Sequence, residues 1–161
     1  MQLTAEMKRA VELEQLGFVA TVRPDGTPAL SPKGTTTVWG DSQLVFLHIH
    51  SEGTVGNLAT NPAMEINVVN PIARSGWRFR GRGTVHTAGS TFQEVIDSFL
   101  DQGRHSAVRA KAVVIMDVEE ADRLLSPAYD DGATEQEVAA VWRPRWQARL
   151  DRLAASPDID S

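Results

Sequence analysis

A run of short strands separated by tight turns, between residues 17 and 62, constrains this fold more than any other feature of the sequence. Alternation of apolar residues predicts four strands there, at 18–22, 28–31, 35–39 and 44–50. Pro24-Asp25-Gly26 forms the first turn, because proline holds φ at about −65° and glycine accepts a positive φ. Strands joined by such short connections must be antiparallel. The stretch is therefore predicted to be a β-meander, followed by a short helix that Asn61-Pro62 ends.

Helices and further strands are predicted on both sides of the meander. A first helix is expected over 4–16, with Thr4 as its N-cap and Gly17 as the glycine that ends it. Capping-box sequences at 91–94 and 134–137 predict two more helices, the second of which kinks or restarts at Pro144. Further strands are expected at 63–69, 77–86 and 112–118, the last of them buried because it is almost continuously apolar. The sequence thus predicts six or seven strands and three or four helices.

Charge and hydropathy exclude several classes of protein. The formal net charge is −5, and no basic patch of the kind that nucleic-acid-binding proteins carry is visible, so no nucleic-acid partner is predicted. There is no cysteine, which excludes disulfides and thiolate chemistry. No run reaches the roughly 20 apolar residues of a membrane span, and the charged first residues lack the apolar segment of a signal peptide. A cytoplasmic protein without a membrane partner is therefore expected.

Several short motifs follow one another in a fixed order over roughly the first 120 residues. They are Gly17–Val22, Asp25-Gly26-x-Pro28, Ser31-Pro32-Lys33-Gly34, Leu44-Val45-Phe46, Thr54-x-x-Asn57-Leu58, Asn61-Pro62 and Gly76–Gly81. In this order they resemble the pyridoxamine 5′-phosphate oxidase-like family of FMN-binding split barrels. The resemblance implies a mainly β (α+β) fold: a six-stranded antiparallel split β-barrel with flanking helices, paired as a homodimer with FMN at the dimer interface.

A change in sequence character at Ser126 divides the chain into two parts. Residues 1–125 are expected to form the FMN-binding barrel domain. Residues 126–161 are expected to form a C-terminal helical arm, whose last six residues fray. Two tryptophans in the arm favour docking on an apolar surface, either on its own barrel or on the dimer partner.

Ser31, Lys33 and Thr35 alternate along one strand and are expected to share a face. Two hydroxyl groups and an ammonium group suit an anionic or hydrogen-bonding ligand. The resemblance implies that this strand lies beside the flavin and that backbone amides here, including the segment with Pro32 and Gly34, meet the ring. The alternative is three solvated polar side chains on an exposed strand.

His48 and His50 are expected to share a face at the end of the fourth strand. Two histidines supply half of a typical metal site, but no third ligand is signalled nearby, so no metal is predicted. The resemblance places this strand end, with Ile49, beside the ribityl chain and phosphate of the flavin. The alternative is a pair of ordinary surface histidines.

The start of the short helix departs from the family pattern. Pyridoxamine phosphate oxidases proper carry an Arg-Lys pair that binds the FMN phosphate, and Gly53 and Thr54 occupy those two positions here. The Thr54 hydroxyl and the amide groups of the helix start, around Val55 and Asn57, are the expected substitutes. A helix start without a ligand is the alternative. The departure argues against vitamin B6 oxidation and leaves room for another flavin or a deazaflavin.

Arg78, Arg80 and Trp142 are further candidates. The resemblance puts the strand of Arg78 at the dimer interface, where its side chain reaches the neighbour's flavin; a solvated face paired with carboxylates is the alternative. Trp142 is expected either to stack on the flavin ring or to be an ordinary core residue.

The function predicted first is an FMN-binding oxidoreductase of unassigned substrate, for which the sequence offers no evident catalytic acid or base. The alternatives are a flavin- or haem-binding sensor or storage protein without turnover, a deazaflavin-dependent reductase, and a cofactor-free dimer. FMN is the expected cofactor, with deazaflavin, FAD or haem as alternatives.

Overall fold

The computed structural model describes residues 1–50 and 52–155. In that part of the chain seven antiparallel strands form one sheet, accompanied by four α-helices. The strands are β1 Gly17–Val22, β2 Pro28–Lys33, β3 Thr37–Trp39, β4 Gln43–His48, β5 Ala63–Asn70, β6 Ser75–His86 and β7 Ala112–Leu125. The helices are α1 Ala5–Glu14, α2 Glu52–Thr60, α3 Ser90–Asp101 and α4 Glu135–Ala154. Two short 3₁₀ segments, His105–Arg109 and Pro127–Tyr129, lie before β7 and α4. None of these helices is long and apolar enough to span a membrane.

The predicted α+β fold with an antiparallel sheet is confirmed. The sheet has seven strands, the higher of the two numbers counted from the sequence and one more than the six-stranded barrel that the resemblance implies. The short strand β3 pairs with β4 through Thr37 and Val45 and counts as a strand of its own. The strand order is β2-β1-β5-β6-β7-β4-β3. Val19 of β1 and Phe46 of β4 lie in one buried cluster although three strands separate β1 from β4. The sheet therefore curls around a shared interior.

A second core lies on the opposite face of β4 and β7. Val45, Leu47, Val113 and Ile115 pack there against Val95, Ile96 and Phe99 of α3. Residues 44–48 of β4 and 112–116 of β7 are buried on both faces, which accounts for the apolar runs at 44–47 and 112–116. The predicted buried strand at 112–118 is confirmed, and it continues to Leu125 because β6 pairs with it along its whole length.

Glycine is required where β6 bends. The pairing of β6 with β7 shifts register between Arg80 and Gly81. A Cβ atom at Gly81 would lie 1.9 Å from the carbonyl oxygen of Asp117. The close approach of the two backbones therefore excludes any side chain at this bulge.

Several predicted ends of elements were wrong. Thr4 caps α1 as expected, its hydroxyl accepting a hydrogen bond from the Met7 amide at 3.2 Å. Gln15, with φ 52°, takes the left-handed position after α1, so Gly17 begins β1 instead of ending the helix. Strand β3 begins at Thr37 and not at residue 35, because Thr36 turns back to bond the Lys33 carbonyl.

The two predicted capping boxes had different outcomes. The box of Thr134 and Glu137 is present at the start of α4. Helix α3 instead begins at Ser90 after Gly89, without a side-chain cap, so the box at 91–94 was wrong. Helix α4 continues through Pro144 rather than restarting there. Residues 156–161, which were expected to fray, lie outside the described residues.

Candidate functional site

Lys33 is buried at the end of β2, with 5% of its surface exposed. Its Nζ atom donates to the Ser31 hydroxyl at 3.0 Å and lies 5.8 Å from the centroid of the Phe46 ring. Within residues 1–50 and 52–155 no carboxylate forms an ion pair with it. Burial lowers the pKa of the Lys33 ammonium. The site thus contains a cation for which the described part of the chain provides no counter-charge.

The alternation predicted for Ser31, Lys33 and Thr35 turns their side chains inward. Ser31 and Thr35 are half-buried, and the Thr35 hydroxyl accepts from the Leu47 amide at 2.9 Å. Pro32 and Gly34 are exposed between them, and a Cβ atom added to Gly34 would meet nothing within 4 Å. The backbone of residues 31–35 is therefore uncovered on its outer side. Their polar side chains point inward, where Thr35 contacts β4 and Ser31 contacts Lys33.

His48, the last residue of β4, is also 5% exposed, and its buried Nδ1 atom has no hydrogen-bond partner among residues 1–50 and 52–155. Burial lowers the pKa of the imidazole, and the positive charges of Lys33 and Lys111 lower it further against the opposing effect of Glu52. Both effects favour the neutral form of the ring. An unsatisfied buried ring nitrogen beside a buried ammonium calls for a polar ligand.

His50 was predicted to share a face with His48, but β4 ends at His48 and His50 is an exposed residue of the following bend. Its Nε2 atom lies 3.0 Å from Nη2 of Arg109. A guanidinium can only donate, so the imidazole accepts at Nε2. Ile49, between the two histidines, packs against the second core.

Helix α2 presents a mixed surface next to this bend. Thr54 and Asn57 are buried, and Asn57 Nδ2 donates to the Thr21 hydroxyl at 2.9 Å. Val55 packs against the barrel core. A Cβ atom at Gly53 or at Gly56 would meet nothing within 4 Å, so the helix backbone is open to a ligand at these positions.

Two of the predicted residues contact other parts of the chain. Arg78 bonds Asn67 at 3.3 Å and approaches Glu65 at 3.5 Å on the outer face of the sheet. Trp142 of α4 stacks on the guanidinium of Arg74, which lies 4.2 Å from its ring centroid. The other candidates are grouped around β2, the end of β4 and the start of α2.

Arg109 is the member of the group that the sequence did not predict. It follows His50 by 59 positions and lies in the 3₁₀ segment between α3 and β7. The pairing of His48 with Ala112 brings that segment to the end of β4. The only sequence signal is a local concentration of basic residues, Arg104, Arg109 and Lys111, which has no fixed relation to residue 50.

Comparison with known proteins shows that other proteins share this fold. HupZ from Group A Streptococcus has 31% sequence identity to the chain and a TM-score of 0.69, covering 77% of this chain and 95% of its own. An F420 reductase (19% identity, TM-score 0.59) covers 74% and 98%. An FMN-binding protein from Syntrophomonas wolfei (11% identity, TM-score 0.62) covers 73% and 82%. The last two share the fold alone, and no curated protein matches the chain.

The family assignment depends on the sequence over most of the chain. Residues 3–131 match the family model described as pyridoxamine 5′-phosphate oxidase. This range contains β1 to β7 and every candidate residue except Trp142. The chain belongs to the pyridoxamine 5′-phosphate oxidase family.

Proposed function

We propose that this protein binds FMN and acts as a flavin-dependent oxidoreductase on a substrate that is still to be identified. The observation that carries the proposal is the buried pair Lys33 and His48, next to an uncovered backbone segment. Among the described residues, no carboxylate pairs with the ammonium and no group bonds the ring nitrogen Nδ1. The pair belongs to a fold that this chain shares with an FMN-binding protein.

The residues present fit a flavin. Exposed backbone at Gly34 and Gly53 leaves room for a planar or phosphorylated group to approach the main chain. Lys33 favours a ligand that carries or develops negative charge, and His48 offers one free polar atom. The residues proposed to hold FMN are Ser31, Pro32, Lys33, Gly34, Thr35, His48, Ile49, His50, Thr54, Val55, Asn57, Arg78 and Trp142.

In this proposal the cofactor and the protein side chains have different roles. Bound FMN supplies the hydride or electron chemistry. Lys33 stabilises negative charge on a bound group from a position that water does not reach, where its electrostatic effect is strong. His48, whose lowered pKa favours the neutral ring, orients a bound group through Nδ1.

We also propose a homodimer with the cofactor at its interface. Leu30 and Phe18 are 68% and 40% exposed on the outer face of β1 and β2, and apolar exposure of this kind is typical of a protein interface. A groove of about 410 Å³ adjoins them, between β1, β5 and β6. Arg78 lies on this face, and Trp142 lies on α4, so both reach a flavin only if the flavin is bound between subunits. In this arrangement the C-terminal arm docks on its own barrel through Val138 and extends toward the partner.

A deazaflavin-dependent reductase is the second candidate. The observation that favours it is the absence of the Arg-Lys pair at Gly53 and Thr54, together with the fold shared with an F420 reductase. A deazaflavin cofactor differs from FMN at the ring and at the charged tail, so the two candidates predict different affinities.

The deciding experiment is an absorption spectrum of the freshly purified protein, with mass spectrometry of the compound that heat releases. Released FMN, or saturable binding of added FMN, is the expected result, followed by steady-state reduction assays with NAD(P)H. Binding of F420 without binding of FMN would select the second candidate. A colourless protein that binds neither compound would refute flavin binding altogether.

A further inference from the structure

The first turn of α2 carries no positively charged side chain for a phosphate group. It contains Glu52, Gly53 and Thr54, of which the first is acidic and the others are uncharged. Helix dipoles favour anions at this end, but the charge-assisted hydrogen bonds of an arginine contribute much more to phosphate binding. A cation that strengthens phosphate binding here has to come from another part of the protein.

Arg109 reaches the region of the α2 start from the 3₁₀ segment His105–Arg109, which packs on the second core. The amide of Lys111 donates to the His48 carbonyl at 2.9 Å, which joins the 3₁₀ segment to the end of β4. Ala107, in the middle of that segment, is buried in the second core. The backbone on both sides of Arg109 is thus fixed, although its side chain is exposed.

The guanidinium of Arg109 retains most of its hydrogen-bonding capacity. One nitrogen contacts His50 Nε2 at 3.0 Å. Within the described ranges, 1–50 and 52–155, no carboxylate forms an ion pair with Arg109. Five N–H groups are available on a guanidinium in a fork that matches phosphate oxygens. His50 therefore orients the fork and leaves the remaining donors for a ligand.

We propose that Arg109, oriented by His50, binds the phosphate of the cofactor and replaces the Arg-Lys pair that Gly53 and Thr54 do not provide. This inference rests on the proposed function, since it concerns the same cofactor. It identifies the ligand chemistry as a phosphate monoester beside the start of α2. It also explains how a site with Glu52 in its first turn can accept an anion: the cation is supplied by a segment that follows it by more than 50 residues.

The test compares FMN with riboflavin, which has the same ring and ribityl chain but no phosphate. Fluorescence titrations of the full chain with both compounds would be made for the wild type, Arg109→Ala and Arg109→Gln, and for Arg9→Ala, an exposed arginine of α1, as the control. Arg109→Ala should weaken FMN binding about ten- to hundredfold, as expected for lost hydrogen bonds to a charged group, and leave riboflavin binding unchanged. Arg109→Gln should give the same selective loss, and Arg9→Ala should give none.

The outcomes separate this inference from the proposed function. Selective loss of FMN affinity in both Arg109 variants supports the phosphate assignment. Equal loss for the two flavins would mean that Arg109 only maintains the fold, and unchanged affinity would mean that it does not contact the cofactor; each result overturns the inference and leaves flavin binding intact. Failure of the wild type to bind either flavin would overturn both.

Discussion

Replacing Lys33 by methionine should stabilise the protein and weaken its flavin binding. Methionine has nearly the same length and volume as lysine and carries no charge. In the wild type the ammonium is buried with one hydroxyl partner, Ser31, and one aromatic neighbour, Phe46. The substitution removes a buried ion that is incompletely compensated, so the folded state should gain free energy relative to the unfolded state.

The size of the effect follows from the contacts. Burying one ion costs several kcal/mol even after relaxation. A hydrogen bond to a charged group offsets about 1.5–3 kcal/mol of that cost, and a cation–π contact offsets about 0.5–2 kcal/mol. The uncompensated remainder is on the order of 1–2 kcal/mol. For a chain of this size it corresponds to a rise in Tm of about 2–8 °C.

The gain should depend on pH. The pKa of Lys33 is lowered in the folded state, so the folded protein binds fewer protons at this site than the unfolded chain does. The buried Lys33 ammonium therefore lowers the free energy of unfolding of the wild type at neutral pH. This penalty disappears as pH rises through the folded-state pKa toward the ordinary lysine value. The advantage of Lys33→Met should shrink over the same alkaline range.

Urea unfolding of the cofactor-free proteins at pH 7 and in the alkaline range is the assay, with Lys111→Met as the control because Lys111 is exposed. The control should leave the unfolding midpoint unchanged. A Lys33→Met protein that is less stable than the wild type by more than about 1 kcal/mol would refute the reasoning, because such a loss is expected only for a compensated ion whose partner is left alone. FMN titration of the same variant measures the functional half of the prediction.

Three further outcomes are expected. The folded-state pKa of His48 is lowered, so the wild-type free energy of unfolding should fall as pH drops below the ordinary histidine value, by up to about 1.4 kcal/mol per pH unit. His48→Phe should flatten this slope in urea midpoints measured between about pH 5 and 7. Gly81→Ala should lower Tm markedly or prevent folding, because the new Cβ meets the Asp117 carbonyl, whereas Gly34→Ala, with open space, should change Tm little; equal Tm values for the two variants would contradict the bulge geometry. Leu30→Glu should shift the proposed dimer to monomer in sedimentation velocity, and an unchanged sedimentation coefficient would remove this face from the interface.

Local features of the fold were predictable because their causes lie close together in sequence. Pro24-Asp25-Gly26 makes a turn whatever surrounds it, and Gly26 indeed has φ 84°. Thr134 and Glu137 cap α4 through each other. The box at 91–94 failed although its residue types are suitable, because the helix begins at Ser90, two residues before the start that Thr91 as N-cap would give. A cap requires one particular residue to lie just outside the helix, and the tertiary structure decides which residue that is.

The candidate site was predictable only in part, for the same reason. Alternation correctly placed Lys33 and Ser31 side by side, but it could not say that their face is the interior one. The contact of Arg109 with His50 depends on the pairing of β4 with β7, which no local pattern encodes. Where β4 ends also decided that His48 is buried and His50 is exposed.

The pairing of β4 with β7 has a consequence for synthesis on the ribosome. Val45 pairs with Ile115, so the strand that pairs with apolar β4 is synthesised about 70 residues after it. At 5–20 residues per second this delay is roughly 4–14 s. During that time the run from Leu44 to Leu47 has only the three-residue strand β3 beside it. Nascent chains of this protein should therefore be clients of ribosome-associated chaperones until the stretch after residue 112 has emerged.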